Sequence, residues 1–125
     1  MHELVIMENI LQIAVDFAQR NRAKEIHRID LAVGTFSGIV PQYAESFFRM
    51  VAKGTIAENA VLQFDIAPAQ FQCTECGTKT TFTSAADIII CKNCGSDRVR
   101  LLSGREFRVQ SMEILEHTEG GSDSG

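Results

Sequence analysis

Residues 4–20 repeat apolar side chains at helical spacing. Met7, Ile10, Leu11, Ala14, Phe17 and Ala18 share one face, and Glu8, Gln12, Asp16, Gln19 and Arg20 take the other. A polar turn, NRAKE, follows. IHRIDLAVG then alternates, with Ile29, Leu31 and Val33 on one side and Arg28 and Asp30 on the other, as in a half-buried strand. His27 shares the parity of Ile29, which predicts a strand-end residue packed under a helix rather than a metal ligand. After the glycine-flanked loop GTFSGI, the stretch VPQYAESFFRMVAKG predicts a second helix, with Pro41 in the first turn and Gly54 as its stop. Its apolar stripe is Ala44, Phe47, Phe48, Val51 and Ala52. AVLQFDIAP returns to strand, with Leu62, Phe64 and Ile66 on one face and Pro68 ending it. Phe17, Leu31, Phe47 and Phe64 are the expected core of this first region.

Apolar periodicity fades over residues 69–102, where cysteine, threonine, glycine and lysine take over. This marks a separate module inserted into the chain. EFRVQSMEILEH then predicts a long final strand. Phe107 and Val109 lie on one parity and Met112 and Ile114 on the other, so a bulge or a change of sheet is expected at QSM. The closing TEGGSDSG has no apolar residue and predicts a disordered tail, with His117 solvated beside it.

Composition narrows the class. A chain of 125 residues with 45% hydrophobic and 22% charged positions can build an ordinary globular core without disulfides. The formal net charge of −4 argues against a broad phosphate-neutralising surface. No stretch approaches the ~20 apolar residues of a membrane span. The first apolar run is broken by Glu3, Glu8, Asn9 and Gln12 with no basic region before it, unlike a secretory signal. The expected compartment is the cytoplasm, where paired cysteines point to metal rather than disulfides.

The strongest motif is CTECG with CKNCG: Cys73, Cys76, Cys91 and Cys94. Two residues between cysteines let one tight turn aim both sulfurs at one point. Gly77 and Gly95 then supply the left-handed backbone that closes each turn. Two such turns face to face make a tetrahedral four-sulfur cage, the preference of Zn(II) in a structural site, with iron as the competing metal. Four thiolates leave no open coordination position, so catalysis at this metal is not expected. Residues 73–108 hold six basic and four acidic side chains, a surplus of two that matches the −2 of four thiolates around Zn(II). Those basic residues read as local compensation rather than a nucleic-acid surface, and Phe82 is the one aromatic between the pairs able to stack a base. The predicted fold is α+β: a small mixed sheet with two helices over 1–68, completed by a strand at 105–116, and a zinc-ribbon module over 69–104 inserted before that last strand.

The first residues, MHEL, pose a different question. A terminal amine, the next amide nitrogen and an imidazole on residue two can chelate one ion in fused five- and six-membered rings. A deprotonated amide favours square-planar Ni(II) or Cu(II) over zinc. The fourth position stays open to a donor such as Glu3. A bulky histidine behind Met1 resists removal of the methionine. A frayed terminus with a chance histidine is the plain alternative. Ser37 and Ser103 have no histidine partner in sequence, and no phosphate-binding G-x4-GK[ST] motif is present, so neither serine chemistry nor intrinsic GTP hydrolysis is expected.

MHEL, LAVGTFSGI, the paired cysteines, LLSGREFRV and SMEI, in that order over residues 1–116, together resemble the HypA/HybF family of hydrogenase maturation nickel metallochaperones. The resemblance implies a non-enzymatic factor that binds Ni(II) at its N-terminus and delivers it to the [NiFe] hydrogenase large subunit. It further implies cooperation with the nickel GTPase of hydrogenase maturation; charge and hydropathy leave neither nucleic acid nor membrane as an expected partner, and a second copy of the chain is a further candidate. By resemblance, His2 is the nickel ligand, with Met1 and Glu3 beside it. Cys73, Cys76, Cys91 and Cys94 would hold structural Zn(II), and the region 1–68 would be the nickel-binding domain. The competing reading is a structural zinc-ribbon module that binds nucleic acid or protein.

Overall fold

The computed structural model describes residues 2–116; Met1, His117 and the expected tail lie outside the described residues. The elements are α1 (His2–Arg20), β1 (Ala23–Gly34), α2 (Pro41–Val51), β2 (Val61–Ala67), β3 (Ala69–Cys73), β4 (Lys79–Phe82), β5 (Val99–Ser103) and β6 (Phe107–Glu116). They form two three-stranded sheets, ordered β2-β1-β6 and β4-β3-β5. The α+β expectation holds, with two helices and the cysteine module before the last strand. No described helix is long and apolar enough to cross a membrane.

The chain divides into two compact units, and the division falls inside β1, inside β2 and at the start of β6. The first unit contains residues 2–31, 40–64 and 108–116. It buries Met7, Ile10, Ala14 and Ala18 of α1, Ala44 and Phe48 of α2, and Ile26, Ile29 and Leu31 of β1. Helix α1 packs against α2. Pro41 sits at the start of α2, where its missing N–H costs no hydrogen bond.

Three expected placements differ. Phe17 is 48% exposed, although it follows the buried Ile10 by two turns at the margin of the stripe, near the end of α1. His27 is exposed and lies 3.3 Å from the Glu25 carboxylate. Ile26 and Ile29 are both buried, so the alternation breaks across His27–Arg28 and turns the imidazole outward. Ile66 is exposed as well, since the alternation of β2 fails at Asp65, where the strand leaves the first unit.

The parity switch in β6 is present: Val109 and Met112, three apart, are both partly buried. Between them Ser111 donates its hydroxyl to Asp30 at 2.7 Å, and Arg28 adds a bond from Nε at 3.0 Å. The Ser111 hydroxyl draws the buried Asp30 carboxyl below its usual 3.8, with help from Arg28 and against burial, which pushes the other way. This is a charge-assisted link between β1 and β6.

The second unit contains residues 32–39 and 65–107. Strand β3 pairs antiparallel with β4 (Phe71 opposite Thr80) and with β5 (Phe71 opposite Leu101). Ala69, Phe71 and Phe82 form its core, with Phe36, Ile89, Val99 and Leu101 packed on it. Phe71 meets Phe36 and Phe82 edge-on, each with ring centroids 5.5 Å apart. Residues 32–39 belong here because the Gly34 N–H donates to the Glu106 carbonyl and the Phe36 N–H to the Gly104 carbonyl, both at 2.7 Å. The two backbones cross so closely that a Cβ on Gly34 would collide with the Gly104 carbonyl. Gly104 itself has φ +125°, and its Cβ would lie 2.6 Å from that of Ala69.

Gly104→Ala is therefore expected to destabilise the second unit by ~1–3 kcal/mol, the usual cost of forcing atoms into a packed site. Denaturant unfolding followed by circular dichroism measures it. Ser111→Ala removes a bond to a buried charge and should cost ~1.5–3 kcal/mol at neutral pH. Because folding depresses the Asp30 pKa, the bond's contribution is complete above the usual carboxylate range and disappears as pH falls through the folded pKa. Wild type and Ser111→Ala should thus converge in acid; a difference independent of pH would exclude this role for Asp30.

Candidate metal centre

The two cysteine pairs sit on matching turns of the second unit. Cys73 ends β3, and the Gly77 N–H returns to its carbonyl at 2.9 Å while the Cys73 N–H donates to Thr78 at 2.9 Å. The other pair repeats this: the Gly95 N–H meets the Cys91 carbonyl, and the Cys91 N–H the Ser96 carbonyl, both at 2.8 Å. Gly77 at φ +80° and Gly95 at φ +78° close the turns, as the sequence requires. Each turn wraps its first sulfur in backbone donors. Glu75 and Cys76 N–H groups point at Cys73 Sγ, at 3.4 and 3.5 Å, and Asn93 and Cys94 N–H groups point at Cys91 Sγ at the same distances.

The four sulfurs lie within 4.8 Å of one another. Cys73 and Cys94 Sγ are 3.7 Å apart, and Cys76 and Cys91 Sγ 3.6 Å. Zn–S bonds of 2.3 Å in a tetrahedron place sulfurs about 3.8 Å apart, so the cage has zinc dimensions. Cys73 and Cys91 are buried, while Cys76 and Cys94 reach solvent. The set fits structural zinc.

The thiols differ in acidity. Cys76 is drawn down to about 6, first by the Thr78 hydroxyl, then by the Thr78 N–H and the Asn93 amide. At Cys94 the Ser96 N–H is the strongest single influence and acts downward. Cys73, burial, Cys76 and Cys91 together outweigh it and push this thiol up to about 12. A cation must displace the last protons, so metal uptake releases protons and weakens as pH falls.

The first turn is also tied to the residue just before β5, and the second to the end of β4. Thr74 donates both its N–H and its hydroxyl to the Arg98 carbonyl, at 2.8 and 2.9 Å. Arg98 reaches Glu75 at 3.7 Å on the exposed side. Lys92 Nζ stands 4.9 Å from the centre of the Phe82 ring, and Phe82 is 1% exposed. Buried in the module's core, Phe82 offers no face for a base.

Sequence reasoning did not find Thr78 and Asn93, which touch Cys76 through side chains. A donor residue inside or just after a C-x2-C turn was the available signal. Of the expected nickel residues, Glu3 lies in the first turn of α1, His2 begins that helix, and Met1 lies outside the described residues.

A two-helix α/β unit joined to a four-cysteine zinc-ribbon unit defines a small metal-handling protein. The family described as hydrogenase/urease nickel incorporation, metallochaperone, HypA, matches residues 1–114. The chain belongs to this family of nickel metallochaperones. It is 34% identical to the hydrogenase maturation factor HypA of Dehalococcoides mccartyi strain CBDB1, over 95% of this chain and 98% of the relative. It is 36% identical to the protein of the same description from Synechococcus elongatus, over 92% of this chain and 100% of that one. The solution structure of the Ni metallochaperone HypA from Helicobacter pylori shares the fold, with a TM-score of 0.64 at 22% identity over 92% of this chain and 98% of that one. A second HypA solution structure gives 0.68 at 24% identity, over 94% and 98%.

Cys73→Ser or Cys94→Ser should release zinc and unfold the second unit, because metal binding supplies folding free energy to so small a core. The helices of the first unit should persist. Metal analysis with far-ultraviolet circular dichroism checks both; full zinc content in either variant would contradict the four-thiolate cage.

Proposed function

We propose that this chain binds Ni(II) at its N-terminus, through the Met1 amine, the His2 amide and imidazole and a donor from Glu3, and delivers it for maturation of [NiFe] hydrogenase. The observation that carries the proposal is the position of His2 and Glu3 in the first turn of α1 in a chain of the HypA family. Amides in the first turn of a helix have no intrahelical acceptor, so a metal can take them without breaking the ladder. Glu3 in that turn adds a carboxylate where the helix dipole favours negative charge and where a cation gains a neighbour. A terminal chelate also suits cargo, which must be surrendered. A closed cage of thiolates does not.

In this reading the nickel domain is 1–68 with the strand 105–116, its segments 32–39 and 65–68 belonging to the compact unit of the cysteines, and the zinc domain, 69–104, is structural. The protein works in the cytoplasm without catalytic chemistry of its own. It receives help from the hydrogenase maturation nickel GTPase, with the [NiFe] hydrogenase large subunit as recipient and self-association as a further mode. The burial of Phe82 removes the stacking surface that a nucleic-acid reading would need.

Nickel titration of three proteins tests the site. His2→Ala should weaken specific nickel binding by more than the ~10–100-fold typical of changes outside the ligand shell, with zinc content and helicity unchanged. One or two residues added ahead of Met1 should weaken or redirect it, because they remove the terminal amine. Binding should also fall steeply below pH ~6.5, where the imidazole protonates. Equal nickel affinity in wild type, His2→Ala and the extended protein would overturn the proposal.

A further inference from the structure

The two turns of the metal cage are nearly superposable in their backbone hydrogen bonds, yet they differ in the side chains around the exposed sulfurs. Cys76 Sγ lies 3.2 Å from the Thr78 hydroxyl and 3.7 Å from the Asn93 amide nitrogen. Asn93 Nδ2 also reaches the Thr78 hydroxyl oxygen at 3.4 Å. These three groups form a closed triangle that joins the first turn to the second. A thiolate only accepts hydrogen bonds, so the hydroxyl donates to it and the amide presents its NH2 rather than its carbonyl. Cys94 occupies the equivalent place in the other turn, 3.7 Å from Cys73 Sγ. No side-chain donor to Cys94 other than a neighbouring thiol is found among the described residues. In the first turn the position equivalent to Asn93 is Glu75, an acceptor, which is engaged with Arg98 instead.

We propose that Asn93 is a positioning residue of the zinc cage, acting with Thr78 to fasten Cys76 across the two turns and leaving Cys94 as the sulfur most open to attack. The inference rests on the four-thiolate reading of the cage and adds an order among its sulfurs. Hydrogen bonds to a thiolate draw electron density from it, which lowers its nucleophilicity and spreads the net −2 of a zinc tetrathiolate into the protein. Outer-shell donors of this kind also fix the direction of the ligand atom. Among the described residues Cys76 carries two side-chain donors, from Thr78 and Asn93, and Cys94 carries none beyond a neighbouring thiol, although both reach solvent.

The test uses the full zinc-loaded chain with Asn93→Ala, Asn93→Asp, Thr78→Val and the conservative Thr78→Ser. Asn93 is exposed and adopts no left-handed backbone, so these changes leave the turn's geometry free to form. Zinc transfer to a competing chelator should run about 10-fold faster in Asn93→Ala and Thr78→Val, faster again in Asn93→Asp, and near wild type in Thr78→Ser. Limited alkylation with iodoacetamide forms a carbon–sulfur bond with loss of iodide. Mass mapping should find Cys94 modified first in wild type and Thr78→Ser, and Cys76 modified alongside it in the other variants. With Co(II) in place of zinc, the sulfur-to-metal charge-transfer band should move to longer wavelength when Asn93 or Thr78 loses its donor, which loosened packing alone would not do. Cys76 modified first in wild type, or variants unchanged in release, labelling order and spectrum, would overturn the assignment. A wild type that binds no zinc through its thiolates would overturn the cage itself, a result separable from the first by metal content alone.

Discussion

Four sulfurs within 4.8 Å cannot all ionise unless a cation sits among them. That repulsion is the constraint on which the second unit depends. The protein's own donors deal with part of it, through two backbone N–H groups at each inner cysteine and side chains at Cys76. They do not deal with all of it, as the acidic Cys76 and the reluctant Cys94 show. A divalent ion neutralises the remainder and turns the strain into folding free energy. The apolar core beside it is small, built on Ala69, Phe71 and Phe82, so the metal and the core share the task of holding β3, β4 and β5 together.

The crossing at Gly34 and Gly104 is the second constraint. Residues 32–39 belong to the cysteine-bearing unit because their backbone N–H groups find acceptors at Ala67, Gly104 and Glu106. Side chains on either glycine would block that approach. The stretches LAVGTFSG and LLSGREF, which carry much of the family resemblance, are thus the two sides of one close contact. A motif that contains no metal ligand is thus architectural.

Metal handling divides along chemical lines. The cysteine cage has a closed donor set, dimensions suited to zinc and a surrounding shell of donors, which are the properties of an ion that stays. In the proposed nickel site, the start of α1 would offer first-turn amides and Glu3, without a cage, which suits an ion that moves on.

Much of this was legible in the sequence because it depends on local spacing. The helix stripe through Met7, Ile10, Ala14 and Ala18, the start of α2 at Pro41, the parity switch near Ser111 and the C-x2-C-G turns all arise within a few residues of chain. Alternation in β3 and β4, at Ala69, Phe71, Cys73, Thr80 and Phe82, was present but masked by the polar residues between and the shortness of the strands. Phe17, His27 and Ile66 are exposed against expectation because helical or strand periodicity near the edge of an element does not decide burial; a neighbour in space does. The pairing of Asp30 with Ser111, the meeting of Gly34 with Gly104 and the reach of Asn93 to Cys76 were decided only by tertiary structure. Each joins residues from separate segments, and no local preference encodes a contact whose partner arrives from elsewhere in the fold. The sequence by itself determined which atoms could bind metal and how each turn would present them. Only the folded chain determined which sulfur would be shielded, because that depends on a side chain from the opposite turn.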